Sequence, residues 1–148
     1  MKKVIIVGAG FAGLQTAKGL AASSFEVTII DKNNYHLFQP LLYQVATAGL
    51  SPADIAVPIR NIFRSQQNPK VVLDELIKIN PDLNQITTKN NTYIYDFLVI
   101  ATGSEPNYFG HDQWKNFSPG LKNIEDATYI RAKILKAFEK AERVKNKN

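Results

Sequence analysis

Three glycines near the N-terminus have the spacing of a phosphate-binding turn. Gly8, Gly10 and Gly13 fit the pattern Gly-x-Gly-x-x-Gly. In this pattern one glycine allows a tight turn, one lets the backbone approach a pyrophosphate, and one permits close helix–strand packing. Asp31 follows at about 20 residues, where a carboxylate accepts hydrogen bonds from an adenosine ribose and repels a 2′-phosphate. Together these residues predict a dinucleotide site.

The flanking sequence predicts the elements that position this turn. Val4 to Val7 is an apolar run of strand length that leads directly into the first glycine. A helix follows from Ala12 to Ser23, and its N-terminus offers N–H groups and a positive dipole end to phosphates. A second strand, Glu26 to Ile30, ends at Asp31. One helical face carries Leu14, Ala17, Leu20 and Ala21.

Composition and charge exclude several classes of function. The 148 residues are 45% hydrophobic and 21% charged, which is typical of one globular domain. The net charge of +5 comes from residues 131–148, and we interpret that basic segment as a solvated helix face; we expect no nucleic-acid partner. Cysteine is absent, which excludes a redox disulfide or a cysteine metal site. No apolar run reaches the ~18 residues of a transmembrane segment.

The stretch after Asp31 predicts a helical insertion. A short helix is bracketed by Pro40 and Gly49, and Ser51 is placed as the N-cap of another helix start, with Asp54 three residues on. Another turn begins at Pro58 and carries Ile59, Ile62 and Phe63. His36 lies among aromatic residues and is interpreted as a packed or hydrogen-bonded side chain without a catalytic role.

The second half predicts more strands and a long helix. A strand at Val71–Leu73 is followed by three alternating segments that predict an antiparallel meander. A buried central strand, Phe97–Ile100, then ends in small residues that would let a ligand approach the backbone: Ala101, Thr102 and Gly103. One helix begins at Asn123. The meander segments are Leu76–Ile79, Ile86–Thr88 and Tyr93–Tyr95.

With these motifs in place, the chain closely resembles the type II, non-proton-pumping NADH dehydrogenases. The resemblance rests on the glycine pattern, on Tyr35 to Thr47 (YHLFQPLLYQVAT) and on Tyr95 to Gly103 (YDFLVIATG). It implies an α/β fold: a Rossmann-like FAD-binding domain with a parallel sheet, a helical insertion and a small antiparallel β-meander. Residues 1–120 would be the N-terminal segment of the flavin domain. Residues 121–148 would be a connecting helix toward an NADH-binding domain absent from this chain.

The resemblance also implies the chemistry. FAD would bind here, NADH would bind at a second fingerprint, and hydride would pass from NADH to FAD before electrons reach a membrane quinone. The reactive atoms belong to the cofactors, so we expect neither a catalytic side chain nor a metal. The chain would be cytoplasmic and incomplete, and the full-length relative would lie at the inner face of the cytoplasmic membrane as part of the respiratory chain.

By the same resemblance, a set of residues would contact FAD. The turn would hold the pyrophosphate, Asp31 the ribose, Lys32 the adenosine and the Leu76 backbone the adenine. Thr47 would lie near the flavin ring, and the segment after Ile100 would pass beside the cofactor. The cofactor-binding residues predicted in this way are Gly8, Gly10, Phe11, Ala12, Gly13, Asp31, Lys32, Thr47, Leu76, Ala101, Thr102 and Gly103.

Alternative interpretations remain open. The chain could be a non-catalytic module that binds FAD or an ADP moiety, or part of a ferredoxin- or rubredoxin-reductase-like flavoenzyme. An ordinary NAD dehydrogenase is disfavoured by the long insertion. Disulfide reductases of the superfamily are disfavoured because Pro40 to Gly49 holds no cysteine. Without a returning strand, we also expect an open sheet edge.

Overall fold

A computed structural model describes residues 1–66 and 68–144, which form two compact units. The first unit comprises Met1–His36 and Val57–Gly103. The second comprises Leu37–Ala56 and the chain from Ser104 onward. In chain order the strands and α-helices are β1 (Lys3–Val7), α1 (Phe11–Gly19), β2 (Glu26–Asp31), β3 (Tyr35–Leu37), α2 (Leu42–Ala46), β4 (Ala56–Pro58), α3 (Ile59–Ile62), β5 (Pro69–Leu73), β6 (Leu76–Asn80), β7 (Gln85–Thr88), β8 (Thr92–Ile94), β9 (Phe97–Ile100) and α4 (Ile124–Glu142).

The first unit is built on a parallel sheet of four strands in the order β5-β2-β1-β9. Alternate residues of β1 pack into two different hydrophobic cores, because successive side chains on a strand point to opposite faces of the sheet. Val4 and Ile6 pack with residues of α1 and α3. Ile5 and Val7 pack on the other face with Ile86 of β7. Burial on both faces explains why β1 is apolar without interruption from Val4 to Val7.

The meander covers one of these faces. Strands β6, β7 and β8 form an antiparallel sheet in sequence order, with Ile86 paired with both Ile79 and Tyr93. Asn84 turns the chain into β7 in the left-handed conformation, with φ of 46°. The alternation in the sequence predicted these three strands correctly because a half-buried antiparallel sheet requires apolar residues at every second position.

Two predictions about the first unit were wrong. Strand β9 pairs only with β1 in the described residues, so it is an edge strand rather than a buried central one. Phe97 is 47% exposed and Ile100 is 60% exposed. Helix α1 ends at Gly19, because Leu20 leaves the helical conformation, and Ala21 is therefore exposed rather than on the buried helical face. The expected open sheet edge is present at β9.

The second unit packs α2 against α4. Its buried residues are Leu42, Val45, Ala46, Ile55 and Ala127. The predicted start of α4 is confirmed, because the Asn123 side chain accepts a hydrogen bond from the Asp126 amide at 2.7 Å. The predicted cap at Ser51 is also present, as a reciprocal capping box with Asp54, but the helix that it begins is a single 3₁₀ turn, Pro52–Asp54.

The end of α2 differs from the prediction. Pro40 lies in a preceding 3₁₀ turn, Gln39–Leu41, and the α-helix itself begins at Leu42. Ala48, with φ of 65°, takes a left-handed conformation after the helix, one residue before the glycine that was expected to bracket it. The Gly49 amide instead donates to the Gln44 carbonyl at 2.7 Å.

Asp74 joins the parallel sheet to the meander. This buried carboxylate accepts hydrogen bonds from the Thr88 hydroxyl at 2.7 Å, the Glu75 amide at 2.8 Å and the Asn90 side chain at 3.1 Å. Burial raises the pKa of Asp74, but these hydrogen bonds and one from Asn91 outweigh it, so the net pKa lies below the ordinary value. The chain after β5 and the connection between β7 and β8 are therefore tied to one ionised group.

We predict that Asp74→Asn lowers the thermal stability of the chain at neutral pH and that the loss disappears in acid. The pKa of Asp74 is lowered in the folded state, so its ionised form stabilises the fold above the unfolded value near 3.8. That stability is lost as the pH falls through the lower folded value. Melting followed by circular dichroism at several pH values measures the difference. Asp82→Asn, at an exposed position of the same meander, is the control. A gap between Asp74→Asn and the unmodified chain that persists unchanged in acid would contradict the prediction.

Candidate functional site

The glycine turn connects β1 to α1, and its three glycines meet different surroundings. A Cβ on Gly8 would lie 2.2 Å from the Ala101 carbonyl oxygen, and Gly8 has φ of +102°. A Cβ on Gly13 would lie 1.8 Å from the Gly8 carbonyl oxygen. A Cβ on Gly10 would meet nothing within 4 Å. Gly8 and Gly13 are therefore required by packing, whereas Gly10 borders open space.

The N-terminus of α1 favours an anion. Its N-cap residue is Gly10, which supplies no side-chain hydrogen bond to the first turn. No acidic residue lies in that turn, so no carboxylate there offsets the positive end of the helix dipole. Phe11 and Ala12 are exposed at this end. Backbone amides at such a helix start bind phosphate groups in many proteins.

Asp31 at the end of β2 holds the turn from the side. Its Oδ2 accepts a hydrogen bond from the Ala9 amide at 2.6 Å, and its Oδ1 accepts one from the Asn33 amide at 2.6 Å. A carboxylate has about four lone-pair sites, so both oxygens keep capacity for a ribose hydroxyl. The sequence pattern predicted an acceptor here but did not reveal its bond to the turn.

His36 also contacts the turn. Its Nδ1 lies 2.9 Å from the Ala9 carbonyl oxygen, and the ring of Phe11 meets the imidazole edge-on at 5.1 Å between centroids. The expectation of a packed or hydrogen-bonded histidine is confirmed. Its partner lies 27 residues away, so no local sequence signal could have identified it.

The segment after β9 approaches the same turn. The Ala101 amide donates to the Val7 carbonyl at 2.7 Å, and the Ala101 carbonyl occupies the space beside Gly8. Thr102 and Gly103 follow as exposed residues, and Gly103 has φ of +76°. The sequence did not reveal this contact with the glycine turn, and the expected approach of a ligand to Ala101, Thr102 and Gly103 stays a prediction.

The start of the meander also lies at the carboxyl end of the parallel sheet, next to the end of β2. The Asp74 amide donates to the Asp31 carbonyl at 2.9 Å, and Leu76 begins β6 two residues later. A hydrogen bond from Lys89 and the positive charge of Lys89 lower the pKa of Glu75, and the positive charge of Lys32 lowers it further. The ion pair with Glu75 raises the pKa of Lys89. The Lys89 side chain is 61% exposed and the Glu75 side chain 40% exposed, so solvent screens the pair and it adds little stability.

The first unit thus brings most of the predicted residues to the carboxyl end of its parallel sheet, because parallel strands all end on the same side of a sheet. Thr47 belongs to the second unit, where its hydroxyl donates to the Tyr43 carbonyl at 2.9 Å beyond the end of α2. Its predicted place near the flavin ring stays a prediction.

The described residues contain neither a metal-binding cluster nor a helix that could span a membrane. Within residues 1–66 and 68–144, no group of three or more His, Cys, Asp or Glu side chains is arranged to hold a metal ion. In that same part of the chain, none of the helices combines the length and the apolar character that a membrane crossing demands.

Sequence comparison identifies relatives over almost the whole chain. The family model described as pyridine nucleotide-disulphide oxidoreductase matches residues 2–144. The type II NADH:quinone oxidoreductase NdhA of Mycobacterium tuberculosis is 45% identical over 144 residues, covering 95% of this chain and 31% of that protein. The chain therefore spans about a third of the length of this relative.

Solved structures of other proteins share the fold of this chain. The sulfide:quinone oxidoreductase of Aquifex aeolicus superimposes with a TM-score of 0.85 at 27% identity, over 94% of this chain and 33% of that one. NDH2 of Plasmodium falciparum, solved in complex with NADH, superimposes with a TM-score of 0.82 at 28% identity, over 95% of this chain and 30% of that one. The predicted α/β, Rossmann-like fold class is confirmed. From the family match and the shared fold, we conclude that the chain belongs to the pyridine nucleotide-disulphide oxidoreductase family.

Proposed function

We propose that this chain is the N-terminal FAD-binding portion of a flavin-dependent NADH:quinone oxidoreductase. The observation that carries the proposal is the set of groups at the carboxyl end of the parallel sheet in the first unit. There the open space beside Gly10, the α1 N-terminus without a side-chain cap and the Asp31 carboxylate lie at the end of neighbouring strands. A pyrophosphate next to a ribose is the ligand that such a set of groups matches.

The residues present fit the ADP half of FAD. The pyrophosphate would lie against Gly10 and the first turn of α1, where Phe11 and Ala12 contribute backbone amides. Asp31 would accept the ribose hydroxyls, Lys32 would flank the adenosine, and the Leu76 backbone would meet the adenine.

The remaining predicted contacts are assigned to the flavin half. Ala101, Thr102 and Gly103 would run beside the cofactor, because they approach the glycine turn and carry little side-chain bulk. Thr47 is kept near the flavin ring on the family resemblance alone. Bound FAD supplies the hydride acceptor and passes electrons on; the residues of this chain bind and orient it.

NADH and quinone are proposed as the substrates of the full-length protein. The support is the 45% identity to a type II NADH:quinone oxidoreductase and the structural likeness to a second quinone oxidoreductase. We assign residues 1–120 to the flavin domain and residues 121–148 to a connection toward an NADH-binding domain. We place the full-length protein in the respiratory chain, at the cytoplasmic side of the membrane.

The first prediction of this proposal is that the purified chain binds FAD. Mixing it with FAD and removing free cofactor by gel filtration should leave a visible flavin absorption spectrum with the protein. ADP should compete, because the proposed contacts lie on the ADP half. A chain that is folded by circular dichroism but retains no flavin would overturn the assignment.

A second prediction concerns Gly10. Gly10→Val should leave the chain folded, since a Cβ there meets nothing within 4 Å and the backbone is extended, with only the small loss of stability expected from valine at an N-cap position. The added side chain would overlap the pyrophosphate, and an overpacking cost of about 1–3 kcal/mol corresponds to roughly five- to 150-fold weaker FAD binding. Gly19→Val, also in open space but at the far end of α1, is the matched control. Equal FAD affinity of the two variants would count against a pyrophosphate at Gly10.

A third prediction is that FAD-loaded chain does not sustain NADH oxidation. Hydride transfer needs the nicotinamide and flavin rings in near-attack geometry, and these 148 residues contain a single Gly-x-Gly-x-x-Gly pattern. NADH absorbance with a water-soluble quinone present should decline no faster than with the same concentration of free FAD. Steady turnover well above that background would show that this chain alone suffices.

A further inference from the structure

Ala9, between the first two glycines of the turn, is held on both sides by side chains. Its amide donates to Asp31 Oδ2 at 2.6 Å, and its carbonyl oxygen lies 2.9 Å from His36 Nδ1. Ala9 is only 2% exposed, so water competes poorly for either group. The two holding residues come from the end of β2 and from β3, outside the turn itself.

The bond to His36 fixes the direction of the next amide. The Ala9 carbonyl and the Gly10 N–H belong to one peptide group, and the described residues contain no cis peptide bond. In a trans peptide the carbonyl and the N–H point in opposite directions. With the carbonyl directed at His36, the Gly10 N–H is directed away from the imidazole. A rotated peptide would lose the bond to His36 and misdirect that amide.

The contact also fixes the state of the imidazole ring. A carbonyl oxygen can only accept a hydrogen bond, so Nδ1 of His36 must carry a proton. The Phe11 ring, at 86° to the imidazole, packs against it edge-on. The side chain is therefore held by one polar and one aromatic contact, both with residues of the turn or of the first turn of α1.

From this geometry we propose that His36 is a positioning residue for the phosphate-binding turn. It orients the Ala9–Gly10 peptide so that the Gly10 amide is ready to donate to the pyrophosphate of an ADP-containing cofactor. The inference rests on the proposed function, because the benefit to the protein is cofactor affinity. It assigns His36 a role that the sequence alone did not support.

The test compares two substitutions of His36. Asn places an N–H donor close to the position of Nδ1, whereas Leu has similar bulk and no donor. We expect His36→Leu to weaken FAD and ADP binding by about tenfold, the effect of leaving a buried carbonyl without its partner. His36→Asn should bind within about threefold of the unmodified chain. His111→Leu, at the other histidine of the sequence, should bind normally.

A measurement without cofactor separates the two ideas. Nitrogen-15 NMR of neutral His36 in the ligand-free chain should show the proton on Nδ1, whether or not FAD binds. If the unmodified chain binds no FAD but shows this tautomer, the proposed function fails and the geometry stands. A proton on Nε2 would overturn the inference even if His36→Leu failed to fold. Equal affinity of folded His36→Leu and the unmodified chain would also overturn it, as would a folded His36→Asn that binds no better than His36→Leu.

Discussion

The first unit depends on the space that two absent side chains leave at the end of β1. Gly8 lets the Ala101 carbonyl approach to a distance that no Cβ would tolerate, and Gly13 lets α1 pack directly on the turn. Without that approach, the chain could not continue beyond β9 with the Ala101 amide bonded to the Val7 carbonyl of β1. The same contacts bring the N-terminus of a helix to the carboxyl edge of a parallel sheet, which is where open α/β folds bind ligands.

Packing and binding are divided among the three glycines. Gly8 and Gly13 have their Cβ positions filled by neighbouring atoms, so they serve the fold. Gly10 faces open space and leaves room for a ligand. A motif that reads as one unit in the sequence therefore contains two structural positions and one that is available for recognition.

Side chains from outside the turn hold its backbone through hydrogen bonds. Asp31 and His36 bind the two polar groups of Ala9, and Asp74 ties the end of β2 to the meander through its own amide. Preorganised backbone amides do not have to be ordered when a ligand binds, which lowers the entropic cost of binding. Polar side chains that lie outside the turn thus determine how its backbone groups are oriented.

The sequence by itself determined the local features. The strand–turn–helix unit, the meander and the caps at Ser51 and Asn123 depend on periodicity and on contacts a few residues apart, and all were predicted. Only the tertiary structure decided that β9 lies at the sheet edge, that Asp31 binds Ala9 and that His36 binds the same residue. These depend on strand order and on pairs 22 to 27 residues apart, which no local pattern encodes. The early end of α1 and the left-handed Ala48 were likewise set by the packed chain, because tertiary contacts override weak local preferences.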